Sequence, residues 1–152
     1  MGLVISSSLV DRIREHGRRS YPNECCGLLL GEAQPPGKTV VELRPVENVR
    51  EDSKRNRYLI SPRDLLAAEK DAARRGLDVV GVYHSHPDHP ARPSEFDREN
   101  ALPWYSYMIL HVAGGDPSDL TCWVLREDRS DFDREEWVQV PENEKADRGR
   151  SD

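Results

Sequence analysis

The sequence predicts an α/β fold in which helices pack on both faces of a mixed β-sheet. Three patterns lead to this prediction. Short apolar or β-branched segments bounded by glycine and proline are typical of strands. Longer segments with helical spacing of apolar residues alternate with them. The segment 78–84, DVVGVYH, has valines on both faces, as expected for a strand at the centre of a sheet. Alternating strands and helices favour a layered α/β architecture.

The first half of the chain supplies three predicted strands, one helix and a further short strand. Residues 3–6 read as a strand that ends at serines able to cap a helix, and this helix continues over 7–20. Glycines bound the apolar run 26–31, CGLLLG, which predicts a buried strand. Residues 39–46 alternate and are rich in valine, which predicts a third strand, and 58–60 are expected to form a further short one.

The second half begins with the clearest helix signal in the sequence. Ser61 is a suitable N-cap, Pro62 suits the first helical position, and Asp64 lies in the first turn, where the helix dipole favours an acid. Gly76 ends this helix after Arg75. The remaining predictions are a strand over 78–84, a helix over 94–102, strands over 105–113 and 120–126, and an edge strand over 136–140.

Length and composition predict one domain followed by a tail. The chain has 152 residues, which fits a single domain, here expected over 1–140. Residues 141–152, PENEKADRGRSD, contain one apolar residue and are expected to be a disordered tail.

The charge and cysteine content indicate where the protein acts and what it binds. Lys and Arg number 22 and Asp and Glu number 28, so the net charge is −6, whereas a nucleic-acid-binding surface needs a positive footprint. We therefore expect no nucleic-acid partner. No apolar run reaches the length of a membrane span, and we expect no membrane association. Three cysteines, two of them adjacent, do not form a disulfide framework, which favours reduced thiols and a cytoplasmic location.

A candidate metal site begins with His84 and His86. Two residues apart on a strand, their side chains point to the same face and can share one ion. Alone, this pair is a weak signal, since most such pairs bind nothing. Asp97 follows Ser94 by three residues, which fits either a helix capping box or a carboxylate ligand carried by the next helix. Two imidazoles and one carboxylate would leave a fourth position for water, the pattern of a catalytic zinc site.

A water on zinc needs a base, and Glu24 is the best candidate. It stands where the chain enters the apolar CGLLLG segment, an unusual place for a carboxylate, although an exposed loop glutamate is the alternative. Cys25 and Cys26 suggest a nucleophile instead. That reading needs a histidine base, and the two suitable histidines are assigned to the metal.

Two segments of the sequence resemble the JAMM (MPN-plus) metalloprotease family. They are residues 21–31, YPNECCGLLLG, and residues 81–97, which contain HSHP and then PSEFD. The family signature is an upstream Glu, then His-Ser/Thr-His-Pro, then Ser-x-x-Asp, and all of it is present. The resemblance covers roughly residues 3–126 and implies the mixed α/β JAMM/MPN fold, which is cytidine-deaminase-like.

The resemblance also implies a role for each motif residue. One Zn²⁺ ion would be bound by His84, His86 and Asp97. Glu24 would act as general base and then general acid. Ser94 would donate a hydrogen bond to the developing oxyanion.

The short chain is similar to the compact prokaryotic members of this family, including hydrolases of sulfur-carrier-protein–cysteine adducts. The implied partner is a ubiquitin-like sulfur-carrier protein, bound through its C-terminal Gly-Gly tail. The implied reaction is cleavage after the last glycine, which releases an amino acid such as cysteine or a short extension. Two alternatives remain open: an isopeptidase that removes ubiquitin-like modifiers from lysines, and a non-catalytic binding module with a structural zinc.

Overall fold

The computed structural model describes residues 2–34 and 37–141. Most of the predicted tail, 142–152, lies outside the described residues. The described chain forms three helices and eight strands, named here in order: β1 Gly2–Ser6, α1 Ser7–Ser20, β2 Cys26–Gln34, β3 Gly37–Val46, α2 Pro62–Arg74, β4 Asp78–Pro87, α3 Glu95–Asn100, β5 Ser106–Ala113, β6 Asp116–Leu125, β7 Phe132–Arg134 and β8 Trp137–Val140.

All eight strands form one mixed sheet in the order β7-β6-β5-β4-β2-β3-β1-β8. The segment with valines on both faces, β4, is central, as predicted. It pairs antiparallel with β2 and parallel with β5. The predicted edge strand is β8, which pairs parallel with β1. The mixed sheet expected from the sequence is therefore confirmed.

Helices cover both faces of this sheet, and each face has its own buried core. The face under α1 packs Leu9 and Ile13 against the sheet residues Leu29 and Leu110. On the opposite face, Ala68 and Ala72 of α2 pack against the sheet residues Leu28, Leu30 and Val82. Because β2 alternates between the two cores, the continuous apolar run CGLLLG is buried on both sides.

A β-bulge in β4 sets which face its later residues occupy. Leu29 pairs with Gly81 and Leu30 pairs with Val79, so Val80 is an extra residue on this strand. Gly81 is required there, since a Cβ at this position would lie 2.1 Å from the Ser106 carbonyl oxygen. After the bulge, Val82 belongs to the α2 core. The alternation then directs the side chains of residues 84 and 86 to the α2 face as well.

Two predicted elements are corrected, and one strand is found that was not predicted. Residues 58–60 are irregular rather than a strand, because the Leu59 N–H is bound by the Asn48 side chain instead of a neighbouring strand. The helix expected over 94–102 is shorter, since Ser94 is its N-cap and Ala101 its C-cap. The three-residue β7 was not predicted, because so short a segment carries too little periodicity. None of the helices in the described ranges combines the length and apolar character of a membrane span.

Candidate active site

Three predicted metal ligands converge where the end of β4 meets α3. His84 Nε2 lies 3.2 Å from His86 Nε2, and Asp97 Oδ2 lies 3.4 Å from the first nitrogen and 3.2 Å from the second. Both histidines are 1% exposed and the Asp97 side chain is 8% exposed. The structure thus brings two imidazoles from the strand and one carboxylate from the next helix to one point.

This triangle has the dimensions of one face of a tetrahedral metal site. Bond lengths of about 2.0–2.1 Å at a tetrahedral ion separate its ligand atoms by roughly 3.3 Å. The three observed separations are 3.2, 3.2 and 3.4 Å. His86 Nδ1 lies 2.7 Å from the Pro90 carbonyl oxygen, so this nitrogen carries the proton and Nε2 keeps its lone pair. The donor set can hold a metal ion and leaves a fourth position open.

Asp97 is positioned by a capping box at the start of α3. The Asp97 N–H donates to Ser94 Oγ at 3.0 Å, and the Ser94 N–H donates to Asp97 Oδ2 at 2.9 Å. Asp97 therefore fits both predictions, since the same carboxylate closes the capping box and completes the metal-ligand triangle. Burial raises the pKa of Asp97, but the adjacent His84 and His86 outweigh it and hold the pKa well below its usual value. The carboxylate is ionised, as a metal ligand requires.

Glu24 faces this triangle as a buried carboxyl group without a partner. It is 2% exposed, and within the described part of the chain neither of its oxygens has a hydrogen-bond partner. One oxygen lies within 4.8 Å of a ring nitrogen of His86 and of His89. Burial, reinforced by the negative charge of Asp97, raises the pKa of Glu24 to about 9. The alternative of an exposed loop glutamate is wrong.

The backbone around Glu24 is tied to two other segments. Its N–H donates to the Lys54 carbonyl at 2.7 Å, and the Asn48 amide donates to its carbonyl at 3.1 Å. The next residue, Cys25, donates its N–H to the buried Ser85 Oγ at 2.8 Å. The serine between the two histidines therefore fixes the strand that carries them against the segment that carries Glu24.

Sequence reasoning missed three residues that shape the site. Tyr58 stacks on His84 with ring centroids 4.4 Å apart. His89 is half-buried and stacks on His86 with ring centroids 4.1 Å apart. Asn48 also bonds the backbone of residues 50, 57 and 59. For His89 the sequence carries one signal, the surrounding prolines, which indicate a rigid loop. The contacts of Tyr58 and Asn48 arise from tertiary packing of an irregular segment and have no sequence signal.

The neighbouring cysteines do not form a nucleophilic site. Both Cys25 and Cys26 are buried. Burial raises the pKa of Cys25 to about 11 and raises that of Cys26 as well, so both thiols stay protonated.

An apolar groove of about 180 Å³ opens beside Asp97 on the α2 face. Its lining includes Tyr58, Phe96, Leu102 and Tyr107. The Phe96 ring carries two guanidinium groups over its surface, those of Arg50 and Arg57, at 5.2 and 4.6 Å. The groove therefore includes one residue of the triangle, Asp97, in a mostly apolar lining, and two arginines contact its Phe96 ring.

Known proteins share this sequence pattern over most of the chain. A family model for prokaryotic homologues of the JAB domain matches residues 6–126, which include every predicted site residue. A desampylase of Haloferax volcanii is 36% identical over 108 residues, 70% of this chain and 76% of the relative. A probable TtuB-protein conjugate cleaving protease of Thermus thermophilus is 35% identical over 112 residues, 74% and 72%. A CysO-cysteine peptidase of Mycobacterium tuberculosis is 30% identical over 115 residues, 76% and 75%.

Solved structures share the fold. The solution structure of a protein from Desulfitobacterium hafniense has a TM-score of 0.80 and 30% identity, covering 92% of this chain and 94% of the other. A JAB1/MPN domain protein from Archaeoglobus fulgidus has a TM-score of 0.57 at 20% identity, covering 92% and 99%. The predicted fold class is confirmed.

Proposed function

The chain belongs to the prokaryotic JAB family, the compact JAMM type that its motifs resemble, and from this premise we propose that it is a zinc-dependent peptidase acting on a ubiquitin-like sulfur-carrier protein. It would cleave the amide bond after the carrier's C-terminal glycine and release an amino acid such as cysteine or a short extension. One observation carries the proposal: three metal-ligand atoms spaced for a tetrahedral ion face a buried carboxyl group that has no other partner.

The metal site of this proposal consists of His84, His86 and Asp97 around one Zn²⁺ ion. Nitrogen and oxygen donors in an open tetrahedral arrangement suit zinc. When bound, zinc would polarise the scissile carbonyl and activate a water at the open position.

Glu24 moves the proton in this mechanism. It takes a proton from the attacking water and delivers it to the leaving amine, so that neither a hydroxide nor an amide anion is released. Its apolar surroundings support this role. They raise the pKa of Glu24, and a cation in the adjacent triangle opposes that rise, which brings the carboxyl into the range useful for general acid–base chemistry.

Ser94 is proposed as the donor to the substrate oxyanion. Its Oγ already accepts the Asp97 N–H at 3.0 Å, which fixes the side chain and leaves its own proton free to donate. A hydrogen bond from this hydroxyl to the carbonyl oxygen would strengthen as negative charge develops there.

The groove beside Asp97 supports a thin, extended substrate tail. A Gly-Gly terminus has no side chains and would fit a narrow approach to the triangle, while the preceding residues would lie on the apolar floor near Phe96. The names of the relatives support a ubiquitin-like carrier as the partner, because the Mycobacterium protein is named a CysO-cysteine peptidase.

A second candidate function is isopeptide cleavage. The Thermus relative, at 35% identity, is named a probable conjugate cleaving protease, which favours a lysine-linked substrate. The same catalytic residues would serve both reactions. The two candidate functions differ only in the leaving group, which is a free amino acid in one and a lysine side chain of a protein in the other.

The experiment is a direct cleavage assay. The purified, zinc-loaded protein is incubated with carrier proteins that bear either a C-terminal cysteine or a lysine-linked peptide, and mass spectrometry reads the products. We expect release of the amino acid from the linear adduct, loss of this activity with a chelator, and a decrease of at least about a hundredfold in Glu24→Gln with zinc still bound.

Three results would overturn the proposal or one of its parts. Binding of a carrier without cleavage of any adduct would favour the non-catalytic module. Full activity of Glu24→Gln would remove Glu24 from the chemistry. Cleavage of the lysine-linked adduct alone would replace amino-acid release by deconjugation.

A further inference from the structure

His89 and Glu24 form a second pair of metal-binding groups next to the triangle. Each offers a ligand atom within 4.8 Å of the other and of a ring nitrogen of His86. The Glu24 carboxyl is 2% exposed, and its oxygens have no hydrogen-bond partner among the described residues. A buried, unpartnered carboxyl beside a histidine nitrogen is a donor set that transition metals bind.

His89 is held with one ring nitrogen available. Its Nδ1 lies 2.8 Å from the Pro87 carbonyl oxygen, so this nitrogen donates its proton and Nε2 keeps a lone pair. Stacking on the His86 ring at 4.1 Å fixes the plane of the imidazole. A carbonyl oxygen that orients the ring in this way is a common support of metal-binding histidines.

His86 cannot serve both places at once. Its Nδ1 is engaged with the Pro90 carbonyl, and its Nε2 points to His84 and Asp97 at 3.2 Å each. With the triangle filled, a second ion has Glu24 and His89 as its protein ligands, and water completes its coordination. Two protein ligands bind more weakly than the three of the triangle.

We propose that Glu24 and His89 form a second, weaker zinc site whose occupancy inhibits the enzyme. The reason is chemical: a carboxylate that coordinates an ion can no longer accept a proton from water. The inhibitory consequence rests on the proposed function, while the binding of a second ion does not. The site selects ions that accept nitrogen ligands, so Zn²⁺ occupies it and Mg²⁺, which prefers oxygen, does not.

The first experiment counts bound zinc in the tag-free, full-length protein. Equilibrium dialysis over rising free Zn²⁺ compares the wild type with His89→Ala, His89→Gln and Glu24→Gln. The matched control is His16→Ala, because His16 is also half-buried but bonds the Tyr83 hydroxyl on the opposite face of the sheet. We expect two ions in the wild type and in the control. In the three site variants the second ion should bind at least about tenfold more weakly.

The second experiment measures cleavage of the carrier–cysteine adduct over the same zinc range, with each protein normalised to its own activity at one equivalent of zinc. We expect excess Zn²⁺ to inhibit the wild type and His16→Ala, excess Mg²⁺ to have no effect, and the inhibition midpoint of His89→Ala to rise at least about tenfold. The dialysis result stands even if no adduct is cleaved, so failure of the proposed function is distinguishable.

One result overturns the inference: a second zinc bound equally well by the wild type, His89→Gln and Glu24→Gln. An inhibition midpoint unchanged in both His89 variants overturns the inhibitory role. Because Gln is similar in size to both residues that it replaces, loss of folding does not account for a weaker second ion.

Discussion

Glu24 shows how a single buried carboxyl couples chemistry to stability. Burial and the nearby charge of Asp97 raise its pKa to about 9 in the metal-free protein, whereas an unfolded glutamate titrates near 4.3. Between these values the folded state holds a proton that the unfolded state has lost. Stability from this group is therefore present below the unfolded pKa and is lost as the pH rises towards the folded pKa.

This pH dependence predicts how the stability of metal-free Glu24→Gln differs from that of the wild type. Relative to the wild type, the variant should gain on the order of 4 kcal/mol of stability between about pH 5 and about pH 8. Urea unfolding of chelator-treated proteins at both pH values measures the difference, and other titrating groups cancel because both proteins contain them. A stability difference that does not change with pH would place Glu24 in a wetter environment than the structure describes.

Asn48 acts through four hydrogen bonds, each 3.1 Å long. Its amide donates to the carbonyls of Glu24 and Arg57, and its oxygen accepts from the N–H groups of Arg50 and Leu59. Asn48→Ala should cost about 1–3 kcal/mol of stability. It should also lower kcat severalfold with little change in zinc affinity, because Glu24 loses one of its two backbone anchors while the triangle keeps its ligands.

The control for this variant is Asn56→Ala, since Asn56 is an exposed residue of the same loop. Urea unfolding, a zinc titration and cleavage kinetics are measured on both variants. If Asn48→Ala lost stability but kept the wild-type kcat, its role would be to hold the loop and not to position Glu24.

At the scale of elements, α3 is too short to fix its own direction. It has six residues, and two features hold it: the capping box at its start and the turn before β7 at its end. There, Arg98 donates to the Arg129 carbonyl at 2.9 Å, and Arg129 donates to the carbonyls of Arg98 and Glu99. This second anchor lies one residue from Asp97.

Arg129→Ala should therefore weaken zinc binding without removing a ligand. We expect a loss of about three- to tenfold in affinity, as for other supports of metal ligands. Arg126→Ala is the matched control, because Arg126 lies in the same turn but pairs with Asp133 instead of α3. Competition with a chromogenic chelator measures both affinities, and equal values in the two variants would show that the capping box alone positions Asp97.

The helices could be predicted because their capping residues are recognisable in the local sequence. Ser61 caps α2 as expected, accepting the Asp64 N–H at 3.0 Å, and Ser94 caps α3. The bulge at Val80 could not be predicted, because it depends on the register between β4 and β2. The short strand expected over 58–60 failed for a similar reason, since the partner of Leu59 is a side chain distant in the sequence.

For the whole molecule, the sequence predicted the layers and the converging ligand residues but not the strand order. Spacing alone left the role of Asp97 open, and it was the family resemblance that predicted His84, His86 and Asp97 together; a strand end and the following capped helix are joined there by a short prolyl loop. The parallel pairing of β8 with β1 joins the two ends of the described chain, and no local pattern reveals such a contact. Tyr58 and His89 were missed because loops brought to the site by tertiary packing have no period of their own.

An ion held by the proposed metal site would couple to global stability, because the three ligand residues lie on the central strand and on α3. An ion that binds only the folded state stabilises it by about 3–4 kcal/mol at free concentrations of 100 to 1,000 times its dissociation constant. For a domain of this size that corresponds to a rise in melting temperature of roughly 10 °C.

Calorimetry of the zinc-loaded and chelator-treated wild type should show this difference in melting temperature. Glu24→Gln should retain it because Glu24 is not a ligand of the triangle, and His86→Asn should lose most of it. Equal melting temperatures for the loaded and metal-free wild type would mean that no ion binds preferentially to the folded state.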